Sequence, residues 1–524
     1  MKLKLAARGN KSVSYTLPAP IKGLNVRDSL ADMEACYAVV MDNYMPLDTK
    51  VALRKGYVEY VKLPEKVCTL AEYKNGSSNY FLAVSGGKVY NISSRNISSR
   101  KNVSAYKNVK FSNSYCRTQQ YKNYLYFVNG SDVPKVYWQD DSGAEHFEDW
   151  GFSAANLNPL RIANIGLSKQ RLWFVESGTL KVWYPETAGN IAGKLNCFDL
   201  AQVARFGGEL VAVANWTQDG GQGIDDLTVF ITSEGEALVY VGSDINSADS
   251  WQLRGSYKIS RPIGYSCLVP YQGDVVIISE DGYIPLSKAL PLEQANASQI
   301  AFSDTIRGLV LSRTAHNLQR YGWQGIIYSR GGYGLFNVPV SNQYEQHVIN
   351  VNTGAWCRFT DIRAHCWGLY NQRLYFGADE GIFLFDEGYS DNGIEISGHV
   401  EQAYNDLGCN SVKKIQLLNP RTKSSTGYSL VIYTNMDMEN RKVDYLENFT
   451  ASGQHKWDET KWSSSKEPFG IKWGAAESTS IRSQWIANSS TGYKASVVFK
   501  TKTKGNLIEW YETGIRYEVG NGVL

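Results

Sequence analysis

One short unit recurs along most of the chain, and that recurrence restricts the fold more than any other feature. Residues 325–339, "GIIYSRGGYGLFNVP", form two apolar runs turned back on each other at Gly331 and Gly332. β-branched and aromatic residues favour strands, and paired glycines allow the positive φ of a tight hairpin. The same pattern returns in "NYFLAVSGGKVYNIS" from Asn79, "NYLYFVNG" from Asn123, "QRLWFVESGTLKVWYP" from Gln170, "LTVFITSEGEALVYVG" from Leu227, "GDVVIISEDGYIPLS" from Gly273 and "QRLYFGADEGIFLFDE" from Gln372. The hairpin centres lie near Leu82, Tyr126, Phe174, Phe230, Val276, Ile327 and Tyr375. Their mean spacing is about 49 residues, close to the period of a four-stranded propeller blade. Segments such as "WQLRGSYKI" from Trp251 and "HVINVNTGAWCRFTDI" from His347 supply the two further strands that each blade needs. The spacing therefore predicts an all-β chain with a propeller of about six or seven blades.

The 524 residues suffice for that propeller and appended parts, and 47 glycines against 14 prolines suit a turn-rich β protein. The first sixty residues and those after about Gly398 lack the repeat. The opening reads as a glycine turn, a polar connection long enough for a short helix, an "NYMP" turn at residues 43–46 and the strand "KVALRKGYVEY". Residues 399–437 read as two long strands around a polar loop, and residues 493–524 as a closing hairpin or a sandwich edge. These limits define an N-terminal arm (1–62), a propeller (63–398) and a C-terminal β-domain (399–524).

Charge and cysteine usage narrow the function classes. A formal net charge of +3 over this length does not suit broad non-specific DNA binding. The acid-free stretch at residues 93–110, with Arg95, Arg100, Lys101, Lys107 and Lys110, reads as a solvated loop or a local nucleic-acid contact. Eight cysteines are thinly spread without a CxxC pair, so neither a disulfide framework nor a zinc knuckle is expected. No run of about 18 apolar residues exists to cross a membrane. The start, "MKLKLAARGNKSVSYT", lacks the apolar core of a secretory signal, so reduced, mostly buried thiols are expected. Asn-x-Ser/Thr triplets at Asn91, Asn96 and Asn102 are ordinary in Asn- and Ser-rich loops.

Catalytic constellations are thin. A set of Cys357, His365 and Cys366 is conceivable for a metal, but its spacing matches no standard site and a fourth ligand is missing. Of the six histidines (His146, His316, His347, His365, His399 and His455) no two have helix spacing. Neither G-x-S-x-G, a Walker A lysine motif nor H-E-x-x-H occurs. The glycine-rich residues 206–230 lie between strands and open no helix, so they lack the dipole of a phosphate loop. Asp219, Asp225 and Asp226 within them do not have the spacing of a calcium loop. "NVNTGAWCRF" at residues 350–359 echoes the aspartate-box turn of sialidases, which is structural even there. No catalytic, cofactor-binding or metal residue is assigned.

Three stretches together resemble the tail proteins of short-tailed bacteriophages. They are "PAPIKGLNVRDSLADMEACYAVVMDNYMPLDTKVALRKGY" at residues 18–57, "SWQLRGSYKISRPIGYSCLVPYQGDVVIISEDGYIPLSKAL" at residues 250–290, and the closing "LIEWYETGIRYEVGNGVL". That family contains tail nozzle, tail-hub and packaged-DNA-stabilisation proteins. The resemblance implies a propeller with a platform built from both chain ends, and a hexameric ring docked on the portal and adaptor. It also implies tail fibres or tail spikes as neighbours, packaged double-stranded DNA passing through the ring, no enzymatic activity and no membrane insertion. The expected location is the virion tail, after assembly in the host cytoplasm. A tail-associated glycan-binding or glycan-degrading propeller is the alternative, since Trp and Tyr stack on sugars, and a cellular propeller scaffold is a further competitor.

Overall fold

The computed structural model describes residues 12–76, 78–93, 104–219, 224–242, 244–245, 250–271, 273–289, 301–424, 428–439, 447–449 and 481–520. The chain divides into two compact units. One comprises Glu59–His347 and Asp361–Phe385; the other comprises Met1–Val58, Val348–Thr360 and Asp386–Leu524.

The first unit is a seven-bladed propeller. Blade one consists of Val67–Asn75, Ser78–Ser85, Lys88–Asn91 and Ala105–Lys110, hydrogen-bonded in sequence order. Blade two follows the same order with Arg117–Tyr121, Tyr124–Val128, Lys135–Gln139 and Glu145–Asp149. Blade three runs through Ile162–Ser168, Arg171–Glu176, Lys181–Pro185 and Gly193–Asp199, and blade four through Leu210–Asp219, Ile224–Thr232, Glu236–Val241 and Gln252–Lys258. Blade five has three strands among the described residues, Leu268–Tyr271, Asp274–Ser279 and Gly282–Pro285. Blade six begins with Gln324–Tyr328 and Tyr333–Val340 and continues into Gln343–Asn350. Blade seven contains Cys366–Tyr370, Arg373–Ala378 and Gly381–Phe385, and its outer strand is Tyr57–Lys62 from the start of the chain. The first strands of blades one, two, three and four touch in that order, the fourth touches blade five, and five, six, seven and one complete the circle. Contact in a closed circle, with no free end, defines a propeller.

The sequence periodicity follows from this stacking. A blade's second strand lies between two neighbouring blades, so both of its faces are covered and it reads as a continuous apolar run rather than an alternation. Arg171–Glu176 is buried at all six positions. Apolar clusters bridge successive blades: Tyr73, Val84, Phe127 and Tyr137 join one to two, while Val229, Ile231, Ile277 and Ile284 join four to five. Tyr283 stacks on Phe336 at 4.0 Å between five and six, and Phe81 on Tyr370 at 4.8 Å between one and seven. Near the axis, space is scarce. A Cβ on Gly166 would stand 2.7 Å from the Val213 carbonyl oxygen, and one on Gly368 2.7 Å from the Leu70 Cβ.

Six of the seven sequence hairpins join the second and third strands of a blade. The seventh, at residues 325–339, joins strands one and two of blade six. The closing strand also differs from the sequence expectation of a single run "KVALRKGYVEY". It breaks into Val51–Leu53 and Tyr57–Lys62, and a Cβ on the intervening Gly56 would collide with the Ser390 backbone.

The second unit contains two facing sheets. Ile508–Val519 lies in one, pairing with Ser12–Pro18, Lys413–Ser424 and Val51–Leu53. The other contains Tyr37–Asp42, Ile396–Gln402, Ala495–Thr503 and Tyr428–Met436 in that order. Trp510 of the first stacks on Phe499 of the second at 4.4 Å, and the Tyr44 hydroxyl lies 2.7 Å from Thr501 Oγ1. Residues 495–519 therefore cross between the sheets and do not form a closing hairpin. The strands Lys413–Ser424 and Tyr428–Met436 likewise separate into opposite sheets. The polar connection at residues 25–36 contains no helix; Asn25 Oδ1 instead accepts the backbone N–H groups of Arg27 and Asp28. "NYMP" is a pivot at Asn43, with φ of 60°, followed by the strand Tyr44–Pro46.

Candidate functional site: the propeller axis

First strands from all seven blades wall an axial channel of about 780 Å³. Its wall is mostly polar and uncharged, including Thr118, Gln119, Asn164, Asn215, Ser266 and Gln324. Asn215 and Thr217 are solvent-exposed, so the channel is wet. Three of the eight cysteines, Cys68, Cys116 and Cys366, line it, and a fourth, Cys267, is buried beside it between Ser266 and Leu268 of the wall. Cys68 is the second residue of the first strand of blade one, Cys366 opens that of blade seven, and Cys116 and Cys267 immediately precede those of blades two and five. Burial pushes all four thiols up, Cys267 to about 12, which makes them poor nucleophiles at neutral pH.

Arg117 is the one arginine in that wall. Withdrawal from water lowers its guanidinium to about 10, while Cys267, Cys116 and Tyr321 act in the opposite sense. No carboxylate is among the groups acting on its charge. Tyr115, two residues earlier, stacks on Tyr321 at 4.6 Å, and Asn113 Nδ2 donates to the Tyr321 hydroxyl at 3.2 Å. This stack is built on the loops that precede the first strands of blades two and six. Sequence reading passed over Arg117 because a lone arginine at a strand start carries no motif.

The sequence candidates are dispersed. His365 is held by the Tyr344 hydroxyl at 2.8 Å and by Asp379 Oδ1 at 2.7 Å, and burial lowers its pKa. Cys357 is buried in the second unit, with its Sγ 3.7 Å from Met45 Sδ. Among the described residues no group of three His, Cys, Asp or Glu is placed to hold a metal ion. Asp226 accepts from Thr217 Oγ1 within the first hairpin of blade four, whose tip, residues 220–223, lies outside the described residues. Arg95, Arg100, Lys101, Asn96, Asn102 and His455 also lie outside them. The box-like turn at Asn350 is structural: its Oδ1 accepts the Asn352 N–H, its Nδ2 donates to the Pro46 carbonyl, and Gly354 has φ of 72°. His347 sits between the Tyr283 hydroxyl at 2.8 Å and Glu345 Oε1 at 3.1 Å, and Arg313 pairs with Glu345. This relay is closed to substrate, since His347 is fully buried.

No family model matches the chain, and no curated protein matches it. Among solved structures, 234 chains match. One is Raptor from Chaetomium thermophilum, 11% identical over 64% of this chain and 29% of that one, with a TM-score of 0.41. This chain thus spans 29% of the Raptor chain. Another is the Cps50 (Swd1) β-propeller domain of Myceliophthora thermophila, 11% identical over 63% of this chain and 98% of that one, TM-score 0.38. A third is titled a "putative 6-phosphogluconolactonase" from Bacteroides fragilis, 8% identical over 65% and 91%, TM-score 0.32. Similarity at this level carries no argument about activity.

Proposed function

We propose that the chain is a structural protein of a short-tailed phage virion, a nozzle or hub ring protein that lines the DNA exit channel, and that it has no catalytic role. The observation that supports this reading most directly is the placement of the two terminal stretches resembling the phage family. Val51 and Ala52, from the opening stretch, pair with Trp510 and Glu509 of the closing one. Pro18, where the opening stretch begins, pairs with Glu512. Both ends thus share one sheet, as a platform made from the chain termini requires. The opening "GLNVRDS" is fixed by Asn25 Nδ2 donating to Asp28 Oδ2 at 2.7 Å, and the Arg54 of "LRKGY" is buried against Asp391.

A closed ring of blades offers no long free edge for unwanted strand pairing, which suits a part that must bear pressure from packaged DNA. The near-neutral charge suits a lumen along which DNA slides, since dense phosphate binding would retard it. In this mechanism six copies surround the exit channel, inward loops narrow it to retain the genome, and receptor engagement elsewhere in the tail releases them. Single-particle electron microscopy of the purified full chain, alone and with portal–adaptor complexes, tests it. A six-fold ring, formed alone or on the adaptor, is expected. A monomer that never joins the complex would sink the proposal, and retention on host polysaccharide would then favour the glycan-binding alternative.

A further inference from the structure

We propose that the propeller's axial channel is a binding site for a small oxyanion, a phosphate or carboxylate group, held by the Arg117 guanidinium. The inference is independent of the tail assignment and rests on the one arginine that lines the channel, set against the chain's other buried and half-buried arginines. Arg54 makes a two-pronged pair with Asp391 at 2.8 and 2.6 Å, and Arg313 does so with Glu345 at 2.6 and 3.1 Å. Arg358 forks onto Asp42 at 2.7 and 2.8 Å, and Arg171 donates to the Pro185 carbonyl at 2.8 Å. Among the described buried and half-buried arginines only Arg117 and Arg307 have no side-chain hydrogen bond or ion pair to a described residue, and of these two only Arg117 lines the channel. A guanidinium carries five donors and keeps its charge in proteins, and that of Arg117, half-buried, offers them to the channel with no protein acceptor in place. An oxyanion supplies the missing planar, two-pronged acceptor.

The surroundings fit that ligand. The one carboxylate in the channel wall, Asp274, is engaged elsewhere: it accepts from Ser287 Oγ at 2.5 Å, from the Ser287 N–H at 3.2 Å and from the Val275 N–H at 2.8 Å. An arriving anion thus meets no free carboxylate in the channel wall. The hydroxyls of Thr118 and Ser266, also in the wall, have no partner among the described residues and are available as further donors. A volume of about 780 Å³ lies within the range of small-molecule sites, roughly 300–1,000 Å³, so the anionic group has room for an organic body.

Titration calorimetry and thermal unfolding of the full chain decide the matter, with inorganic phosphate and citrate as separate probes and potassium chloride at matched ionic strength as the control. Saturable binding of one probe at up to about 10 mM, with a rise in melting temperature, is expected, because a ligand that binds only the folded state stabilises it. The probe that binds more tightly assigns the group as phosphate or carboxylate. Arg117→Gln should weaken that binding by tenfold or more, yet melt no lower than wild type in anion-free buffer, because it removes an unmatched charge. Arg117→Lys, which keeps the charge but loses the fork, should bind at an intermediate level and serves if the Gln variant does not fold. Absence of binding by either probe to wild type would overturn the proposal, as would equal binding to wild type and to whichever variant folds.

Discussion

Arg54 shows how much one side chain can hold together. Its Nε donates to Asn43 Oδ1 at 2.8 Å, and its two terminal nitrogens grip Asp391, residues that come from opposite ends of the sequence. Breaking an enclosed pair by removing one partner leaves an uncompensated charge. Asp391→Ala is therefore expected to cost about 3–5 kcal/mol, read as a fall in the urea midpoint of the platform unit. His365 gives a pH dependence of known sign. Its folded pKa lies below the ordinary 6.5 because burial opposes the charged form more than Asp379 favours it. The unfolded chain then binds the proton first, so stability is constant above about pH 6.5, falls as pH drops below that value, and levels off beneath the folded pKa. Melting curves of wild type and His365→Gln between about pH 8 and pH 5 should differ in that lower window, the variant losing this part of the slope. Neither role was legible beforehand. "RAHCW" showed a histidine beside a cysteine, whereas the partners that decide its behaviour, Tyr344 and Asp379, are set by folding.

Strands were far more legible, and the reason is physical. Those visible in the sequence were the ones covered on both faces, such as Arg171–Glu176, because double coverage demands an unbroken apolar run. Outer strands with half-exposed faces, such as Gln252–Lys258, carry a weaker signal. In blade six the glycine pair at Gly331 and Gly332 drew attention to the turn before Tyr333–Val340 rather than the one after it. The closing strand was hidden differently. Tyr57–Lys62 reads as the end of an arm, but the Tyr60 ring packs 4.9 Å from Tyr375 and its hydroxyl donates to the Ile92 carbonyl, joining blades seven and one. A chain cut to residues 63–398 lacks this strand and leaves an open edge on Gly381–Phe385. It is expected to be cut by protease at the blade-seven edge faster than a chain of residues 57–398, in which Tyr57–Lys62 covers that edge; limited proteolysis of the two side by side, with the cleavage sites mapped, checks this.

At the level of the whole molecule, the sequence disclosed the repeat but not the interleaving. The chain passes between the two units at 58/59, 347/348, 360/361 and 385/386, so neither unit is a single uninterrupted segment. Nothing in composition marks those crossings, because Gln343–Asn350 runs through one of them as an unbroken strand. If the protein forms a tail ring, electron microscopy of the assembled particle should resolve one seven-bladed disc in each of six subunits, a count set by the repeat and independent of the ring's own symmetry.

The pairing of Ser12 with Glu518 has one more consequence, concerning time. A ribosome makes the first strand of the platform about 500 residues before its partner, and at roughly 5–20 residues per second the wait is on the order of 25–100 s. Throughout that interval Ser12–Pro18 has no sheet to join, and Tyr57–Lys62 waits about 320 residues, roughly two-thirds as long, for blade seven. The earliest strands made are among the last to be used, so the nascent chain spends most of its synthesis with two sticky segments to shield.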